Sequence, residues 1–473
     1  MRKEESAKQH ETNTIHHNAN DHTTTVDHTT HQGIPPDRIP SHRTAQPMNP
    51  QPTLPGYEVQ PDEDGVAHSK SKLDGAYDDL RALTTVRLYP CLTNAESLAY
   101  RCRCSFQIVD PFAYAMRHNR EPVKLNSDVF PIGTRRIQRA MRGFLQHVAS
   151  YDAMKQHLRG VKFSSSWYDG DDADCIMTLI YDNRVDAARW IEEACQARQM
   201  LGLRQINGRS KGVLLTTAAE NEGSEAIIRD RVRIVRANDD VGGWEATVES
   251  PFVTTPAQSP QDIWYEKPET AFYHPNGNAM KKALGWMLNR LEHIASIPTA
   301  SDNNAAPTER PRIRLLEMYC GCGAHTMALA KSDLLSEIVA IEMDQRLVQA
   351  CERNIVLNDL SDVVHVRKED AGKWARRFIS KMQKYGAADE QGFDVLLVDP
   401  PRMGLDALVC KMAKQGGFQH FLYISCGRKA LLRDLELLSD TFEVADCVVM
   451  DLFPRLDAVE TLVHLKRKAG AAT

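Results

Sequence analysis

The sequence contains no apolar run long enough to cross a bilayer, so it predicts a protein with no membrane-spanning helix and no membrane partner. Its first six residues carry charges of both signs and lack the apolar core of a secretory signal. The acids Glu4, Glu5 and Glu11 stand where a transit peptide avoids negative charge. Together these absences predict an intracellular protein, which we expect in the cytoplasm.

Cysteine usage argues against two further classes of protein. The 11 cysteines are odd in number and lack the regular spacing of a disulfide framework, which favours a reducing compartment. Two close pairs exist, Cys102 with Cys104 and Cys320 with Cys322, but neither has a second pair at a matching distance. Because a structural metal site needs about four suitably spaced ligands, we predict no metal site.

The net charge of −5 creates no strong field, so binding to nucleic acid would depend on local basic patches. Four arginines lie largely on one helical face between residues 135 and 142, two more flank Cys102, and residues 466–468 are all basic. Each patch alone is typical of a solvated surface, but together they are compatible with contacts to phosphates. The arginines are Arg101, Arg103, Arg135, Arg136, Arg139 and Arg142.

The composition of the chain changes along its length and predicts three parts. Residues 1–75 are rich in His, Thr, Asn, Gln and Pro and hold almost no apolar clusters, which predicts a disordered tail. Residues 76–255 mix strands and amphipathic helices, at 137–149 and 185–200, without a repeating β-α-β order, which is typical of an α+β domain. Residues 256–473 are predicted as a second domain, because strands and helices alternate regularly from about residue 311.

The last two strand patterns indicate how the sheet of this second domain ends. They cover residues 444–450 and 459–465, and the link between them is too short for a helical crossover. We therefore expect the last strand to run antiparallel to its neighbours on an otherwise parallel sheet. Seven strands arranged in this way, with helices between them, predict an α/β fold of the Rossmann-like class I methyltransferase type.

A glycine-containing loop after the first strand of this domain is the predicted cofactor site. Gly321 and Gly323 allow a tight turn and a close approach of the backbone to a ligand. Thr326 stands where the dinucleotide pattern has its third glycine, so S-adenosylmethionine is favoured over a pyrophosphate cofactor. Glu342 ends the next strand, where an acid would bind ribose hydroxyls.

Three other strand ends carry residues suited to catalysis. An apolar strand at 421–424 ends in Ser425-Cys426-Gly427, the strand at 394–398 ends in Asp399-Pro-Pro-Arg402, and a later segment leads to Glu460. A thiol and two carboxylates at the ends of neighbouring strands would supply a nucleophile, a polar contact and a base. Alone, Cys426 would be interpreted as a buried structural thiol, but its predicted neighbours favour a nucleophile.

These motifs, in this order, resemble the tRNA (uracil-5-)-methyltransferase family from about Tyr100 to Lys466. The resemblance implies that Cys426 is the nucleophile and that Glu460 is the base that removes the C5 proton. The chain departs from the family at four positions: His274 replaces Gln, Ala324 replaces Asn, and Leu456 and Ala458 replace Thr and His. The predicted cofactor contacts are His274, Tyr319, Gly321, Gly323, Ala324, Glu342 and Asp399.

The resemblance implies C5-methylation of a uridine in RNA, with S-adenosylmethionine as cofactor and tRNA as partner, and the T-loop uridine as the target. A sister branch that acts on ribosomal RNA often carries an iron–sulfur cluster. Residues 1–90 here contain no cysteine, and Cys91, Cys102 and Cys104 lack the required spacing, so we expect no such cluster. We also expect a monomer.

Two alternatives remain open. An RNA cytosine-5 methyltransferase also uses a cysteine at this strand end, but it usually has a Pro-Cys pair where this chain has Pro401-Arg402. A non-catalytic tRNA-binding or tRNA-folding protein is compatible with the departures at His274, Ala324 and Ala458, but the retained Cys426 and Glu460 argue against it.

Overall fold

The computed structural model describes most of the chain between residues 65 and 470. The described ranges are 65–90, 92, 96–118, 120–218, 226–237, 243–251, 262–297, 313–385 and 392–470. Residues 1–64, which form most of the predicted tail, lie outside them. Within the described ranges, no helix combines the length and the apolar character that crossing a membrane requires.

The first described elements are the helix α1 (Gly65–Leu80) and the short strand β1 (Val86–Tyr89). Leu73, Ala76 and Leu80 are buried on the inner face of α1. The tail predicted for residues 1–75 therefore overlaps a packed helix and extends too far. One apolar residue per turn among serines, lysines and aspartates is too sparse a pattern to stand out from a polar tail.

The described part of residues 103–216 forms a mixed sheet with helices. Its strands are β2 (Arg103–Val109), β3 (Ala113–His118), β4 (Glu121–Lys124), β5 (Leu158–Ser165), β6 (Cys175–Tyr181), β7 (Gln205–Ser210) and β8 (Val213–Thr216). Their order is β4-β3-β2-β5-β6-β7-β8, antiparallel except between β6 and β7. The helices are α2 (Arg135–His147), α3 (Asp152–Lys155) and α4 (Ala187–Met200), with a 3₁₀ turn at Val148–Ser150. The helices predicted at 137–149 and 185–200 are thus confirmed.

The predicted basic face of α2 is only partly available to a ligand. Arg136 is buried, and its guanidinium donates hydrogen bonds to backbone carbonyls of neighbouring loops. Arg139 forms an ion pair with Asp171 at 2.6 Å, whereas Arg135 and Arg142 are exposed. The interpretation of these arginines as one phosphate-binding patch is therefore wrong for Arg136, because sequence spacing does not distinguish an arginine that anchors loops from one that faces solvent.

A small sheet and a long helix connect the two larger parts. Strands β9 (Ile227–Ala237), β10 (Gly243–Glu249) and β11 (Asp262–Pro268) form an antiparallel sheet in the order β10-β9-β11. Helix α5 (Gly277–Ala295) packs against β10 and is capped by the Asn276 side chain. The predicted boundary between residues 255 and 256 falls inside this sheet. The division into 76–255 and 256–473 stays a prediction, although a cut there would separate β11 from its partner β9.

The remaining elements build the second large sheet. Its strands, besides β1, are β12 (Ile313–Met318), β13 (Leu335–Glu342), β14 (Val364–Lys368), β15 (Val395–Val398), β16 (His420–Ser425), β17 (Phe442–Met450) and β18 (Glu460–Arg467). Its helices are α6 (Ala324–Ala330), α7 (Gln345–Leu357), α8 (Ala371–Tyr385), α9 (Ala407–Gln415) and α10 (Arg428–Leu438).

The order of this sheet is β1-β17-β18-β16-β15-β12-β13-β14. All pairs are parallel except those of β18, which runs antiparallel to both β16 and β17, so the predicted reversal of the last strand is confirmed. The predicted seven strands are present, and β1 adds an eighth at the edge by pairing with β17. Successive residues such as Leu315 and Leu316 pack into separate apolar layers on the two faces, as in a doubly wound fold.

Candidate active site

The register of two strands brings the predicted nucleophile and base together. Ser425, the last residue of β16, pairs with Thr461 of β18. The two residues next to this pair are Cys426, which follows β16, and Glu460, which begins β18. Asp399 follows β15, which lies on the other side of β16. Since the carboxyl ends of β15 and β16 meet at one edge of the sheet, the thiol and both carboxylates share one cleft.

Burial and their mutual proximity raise the pKa values of these groups. Burial, followed by the carboxyl groups of Glu460 and Asp399, raises the pKa of the half-buried Cys426 thiol to about 11. Burial and the Asp399 carboxylate raise the pKa of Glu460 well above its ordinary value. Burial raises the pKa of Asp399 to about 7. These three groups therefore tend to keep their protons in the free protein, because little positive charge offsets the negative charges that three neighbouring acids would carry.

Arg402 is the cation that acts on this cluster. Its positive charge lowers the pKa of both Cys426 and Glu460, against the larger effect of burial. The contact between the two loops is close, since a Cβ added at Gly427 would collide with the Arg402 carbonyl oxygen. The Asp-Pro-Pro-Arg motif places Arg402 at the end of a strand, but the sequence alone does not indicate its effect on the thiol.

The predicted cofactor loop has a conformation that leaves its backbone accessible. Tyr319, Gly321 and Gly323 all adopt left-handed conformations, with φ of 64°, 59° and 83°. A Cβ added at Gly323 would lie 2.9 Å from Cys351 Sγ, so this position accepts only glycine without a shift. At Gly321 a Cβ would meet no atom within 4 Å, which means that the backbone there borders open space. The loop therefore fits the close approach of a nucleoside-containing ligand.

Glu342 connects the end of β13 to this loop. Its Oε2 accepts a hydrogen bond from the Gly321 N–H at 3.1 Å, and its Oε1 accepts from the N–H groups of Met343 and Asp344 at 2.8 Å each. A carboxylate offers roughly four acceptor positions, so it can still bind a hydroxyl group. This geometry is compatible with the ribose contact that the sequence predicts.

His274, which stands where the family has Gln, is held as a neutral ring beside α6. Its Nδ1 contacts the Asn276 backbone, at 2.9 Å from the carbonyl oxygen. Burial lowers the pKa of His274 to about 4, and burial together with His274 lowers the pKa of His325 to about 3. His274 can therefore offer a ligand a neutral polar contact but no positive charge at physiological pH.

The other two predicted contacts lie at the ends of the same loop. The Tyr319 ring is half-buried, and burial raises the pKa of its hydroxyl to about 12, which keeps it a neutral donor. Ala324 has no polar side chain, and its carbonyl accepts a hydrogen bond from the Tyr265 hydroxyl at 2.8 Å. Tyr265 and Asn354, which donates to the Cys322 carbonyl at 2.9 Å, support the loop and could not be found from sequence spacing.

We expect Glu342→Gln to weaken S-adenosylmethionine binding by roughly 10- to 150-fold, because charge-assisted hydrogen bonds are each worth about 1.5–3 kcal/mol. The amide would also place a donor where the carboxylate accepts backbone N–H groups. Isothermal titration calorimetry with the purified protein measures the change. Glu337→Gln is the matched control, since Glu337 lies on the same strand but pairs with Arg314 instead. Equal affinities for both variants would contradict the ribose assignment.

The family model and the similar proteins found by comparison all point to one family. The family model described as tRNA (Uracil-5-)-methyltransferase matches residues 66–242 and 247–468. A tRNA/tmRNA (uracil-C(5))-methyltransferase of Shewanella amazonensis is 28% identical over 382 residues, which cover 78% of this chain and 88% of that protein. The protein of the same name from Chromohalobacter salexigens is 29% identical over 391 residues, with 79% and 88% covered.

A solved structure supports the fold. The tRNA (uracil-54, C5)-methyltransferase of Pyrococcus abyssi, crystallised with S-adenosyl-L-homocysteine, superimposes with a TM-score of 0.55 at 15% identity. The likeness covers 86% of this chain and 87% of the Pyrococcus chain. Since the family model matches most of its length, the chain belongs to the tRNA (uracil-5-)-methyltransferase family of class I, S-adenosylmethionine-dependent enzymes.

Proposed function

We propose that the protein methylates C5 of a uridine in tRNA through a covalent bond between Cys426 and C6 of the base. The observation that carries this proposal is the register of β16 and β18, which gives Cys426 the carboxyl group of Glu460 as its neighbour. Family membership supports the same chemistry, and the relatives are named for it. A cytosine-5 methyltransferase would usually have a cysteine after the proline at this strand end, where this chain has Pro401-Arg402.

The chemistry explains why a thiol is needed. C5 of uracil is a poor nucleophile, so the ring must be activated before it can accept a methyl group. Addition of Cys426 Sγ to C6 shifts the electron pair of the C5–C6 double bond towards C5 and O4, which makes C5 an enolate carbon. S-adenosylmethionine, held by the Gly321 loop and Glu342, supplies the electrophilic methyl group when it is bound. Asp399 would contact the cofactor from the neighbouring strand end.

Glu460 is proposed to act once C5 carries its methyl group. Its carboxylate removes the remaining C5 proton, the C5–C6 double bond re-forms, and the bond between C6 and Cys426 Sγ breaks with return of the thiolate. Burial of Glu460 supports this role, because a raised pKa makes a carboxylate a stronger base near neutral pH. These steps free Cys426 and leave Glu460 protonated, and Glu460 then loses its proton to solvent.

The T-loop uridine of tRNA is the proposed target. Relatives are named for tRNA and tmRNA, and the Pyrococcus protein is named for uracil 54. A loop nucleotide also costs less to extrude into a cleft than a base stacked within a helix. We assign the RNA contacts to residues 76–255, where Arg135 and Arg142 remain exposed on α2. A monomeric state and a cytoplasmic location stay predictions.

Nucleoside mass spectrometry tests the proposed function. Purified protein with S-adenosylmethionine should form 5-methyluridine in a tRNA transcript, and should form none when the T-loop uridine is replaced by cytidine. Transfer RNA from cells that lack the protein should contain less 5-methyluridine than tRNA from normal cells. Formation of 5-methylcytidine would favour the cytosine-5 alternative, and absence of any methylated nucleoside would favour the non-catalytic one.

Arg402→Met should move the pH profile of covalent adduct formation to higher pH by about one unit or more. The sign follows from the charge: Arg402 stabilises the thiolate of Cys426 and the carboxylate of Glu460, so its removal raises the pKa of both. Adduct formation requires the thiolate and therefore needs a higher pH in the variant. Rapid-quench measurements with 5-fluorouridine RNA between pH 6 and 10 give the profile.

Arg402→Lys is the matched variant, because it keeps a positive charge near the thiol but cannot reproduce the guanidinium geometry. Its pH profile should lie between those of the wild type and Arg402→Met. Identical profiles for all three proteins would contradict a role of Arg402 in stabilising the thiolate.

A further inference from the structure

Helix α1 contacts the segment that leads to the proposed base. The Lys72 ammonium donates hydrogen bonds to the carbonyl oxygens of Phe453, Leu456 and Ala458 at 2.8, 2.6 and 3.3 Å. It also forms an ion pair with Asp451 Oδ1 at 2.5 Å. The Lys72 side chain is 7% exposed and that of Asp451 is 1% exposed, so this network is shielded from water.

The segment held by Lys72 runs from the end of β17 to the start of β18. It has no helix or strand of its own, and Arg455 adopts a left-handed conformation with φ of 67°. Two further side chains bind its backbone: Tyr100 donates to the Pro454 carbonyl at 3.0 Å and Asn276 to the Leu452 carbonyl at 2.8 Å. Its path is therefore set by contacts with other elements. Lys72 alone binds three of its carbonyls, the last one two residues before the proposed base.

The other end of α1 contacts the segment that follows the nucleophile. Arg428, two residues after Cys426, donates a hydrogen bond to the Gly75 carbonyl at 2.5 Å and another to the Asp79 carboxylate. One helix thus binds the chain on both sides of the cleft, next to Cys426 through Arg428 and ahead of Glu460 through Lys72.

We propose that α1 fixes the distance between nucleophile and base, and that Lys72 is the positioning residue for Glu460. Since Glu460 is the base in the proposed function, on which this inference rests, the effect should fall on the elimination step. Without Lys72, three carbonyls lose their donor and the buried Asp451 carboxylate loses its cation, so the segment ahead of Glu460 should relax. A displacement of about 1 Å at a catalytic group can cost 10²-fold in rate.

The test compares Lys72→Met with Lys70→Met, an exposed lysine on the same helix. Single-turnover reactions with tRNA and S-adenosylmethionine are followed by nucleoside analysis and by denaturing gels, which show the covalent RNA complex. We expect Lys72→Met to slow release of the methylated product by about 10²-fold and to retain the complex, with unchanged binding affinity for tRNA and for the cofactor. Lys70→Met should behave as the wild type.

The double variant Lys72→Met/Asp451→Asn separates positioning from charge compensation. It removes the uncompensated buried carboxylate, so its melting temperature should return towards that of the wild type while its turnover stays low and the complex is still retained. It also carries the test if Lys72→Met alone fails to fold. Recovery of full turnover in the double variant would overturn the inference, as would normal release of the complex by folded Lys72→Met.

A parallel measurement on Glu460→Gln separates this inference from the proposed function. A retained complex in Glu460→Gln but normal release in Lys72→Met would overturn the role of Lys72 alone. Normal release in Glu460→Gln would overturn the assignment of the base, and the role of Lys72 with it.

Discussion

Cys426→Ala should abolish methylation, with a loss of about 10⁴-fold or more, the scale expected when a covalent nucleophile is removed. Alanine keeps the small volume of the side chain at the end of β16, so the fold should not change. Without the thiol, C6 receives no electron pair and C5 stays too weak a nucleophile to accept a methyl group. Incorporation of labelled methyl groups into tRNA measures the loss.

Two measurements show whether the loss lies in the chemical step. Calorimetry should give nearly the same affinity for S-adenosylmethionine in Cys426→Ala and wild type, because the cofactor loop is on another strand end. A 5-fluorouridine tRNA should trap the wild type as a denaturation-resistant adduct, since the C5 fluorine cannot leave as a proton does, and should not trap the variant.

Cys195→Ala is the matched control for these experiments. Cys195 is also a half-buried free thiol, but it lies on α4, outside the cleft. Its substitution should leave both turnover and trapping unchanged. A denaturation-resistant adduct formed by Cys426→Ala would assign the nucleophile to another cysteine.

The neighbourhood of Cys426 and Glu460 could be predicted because it follows from local features of the chain. A short link between the last two strand patterns forces the final strand to reverse, and the reversed strand must start at the edge where the parallel strands end. The glycine loop and the acid at Glu342 follow from the same rule for parallel sheets. These predictions need only strand order and the direction of each strand.

Arg402 and Lys72 could not be predicted in the same way, because their partners are set by packing between distant segments. The Arg402 contact depends on two loops that touch only because Gly427 has no Cβ. Lys72 lies in a polar stretch that resembles a tail, and three of its partners are backbone carbonyls, which carry no sequence signal. Arg136 shows the converse error, since its helical spacing suggested an exposed cation where the structure has a buried one.

Glu460→Gln should accumulate a covalent complex with unmodified tRNA and lower turnover by on the order of 10²–10⁴-fold, the range of general base catalysis. The glutamine is close in size and stays at the start of β18, so Cys426 can still add to C6. Elimination cannot proceed until C5 loses its proton, and a neutral amide is too weak a base to remove it. The methylated adduct should therefore persist, which distinguishes this variant from Cys426→Ala, where no adduct forms.

A denaturing gel of labelled tRNA incubated with S-adenosylmethionine measures the retained complex, and nuclease digestion followed by mass spectrometry of the peptide containing Cys426 should find a methylated nucleotide attached. Glu443→Gln is the matched control: Glu443 is exposed on β17, pairing with β18 at the far end of the same two strands, and should turn over normally. Normal release of product by Glu460→Gln would give the base role to another group, and Asp399, whose pKa burial raises to about 7, would be the next to test. A complex that accumulates without a methyl group would instead mean that the carboxylate acts before methyl transfer, because a block in the later removal of the C5 proton leaves a methylated adduct.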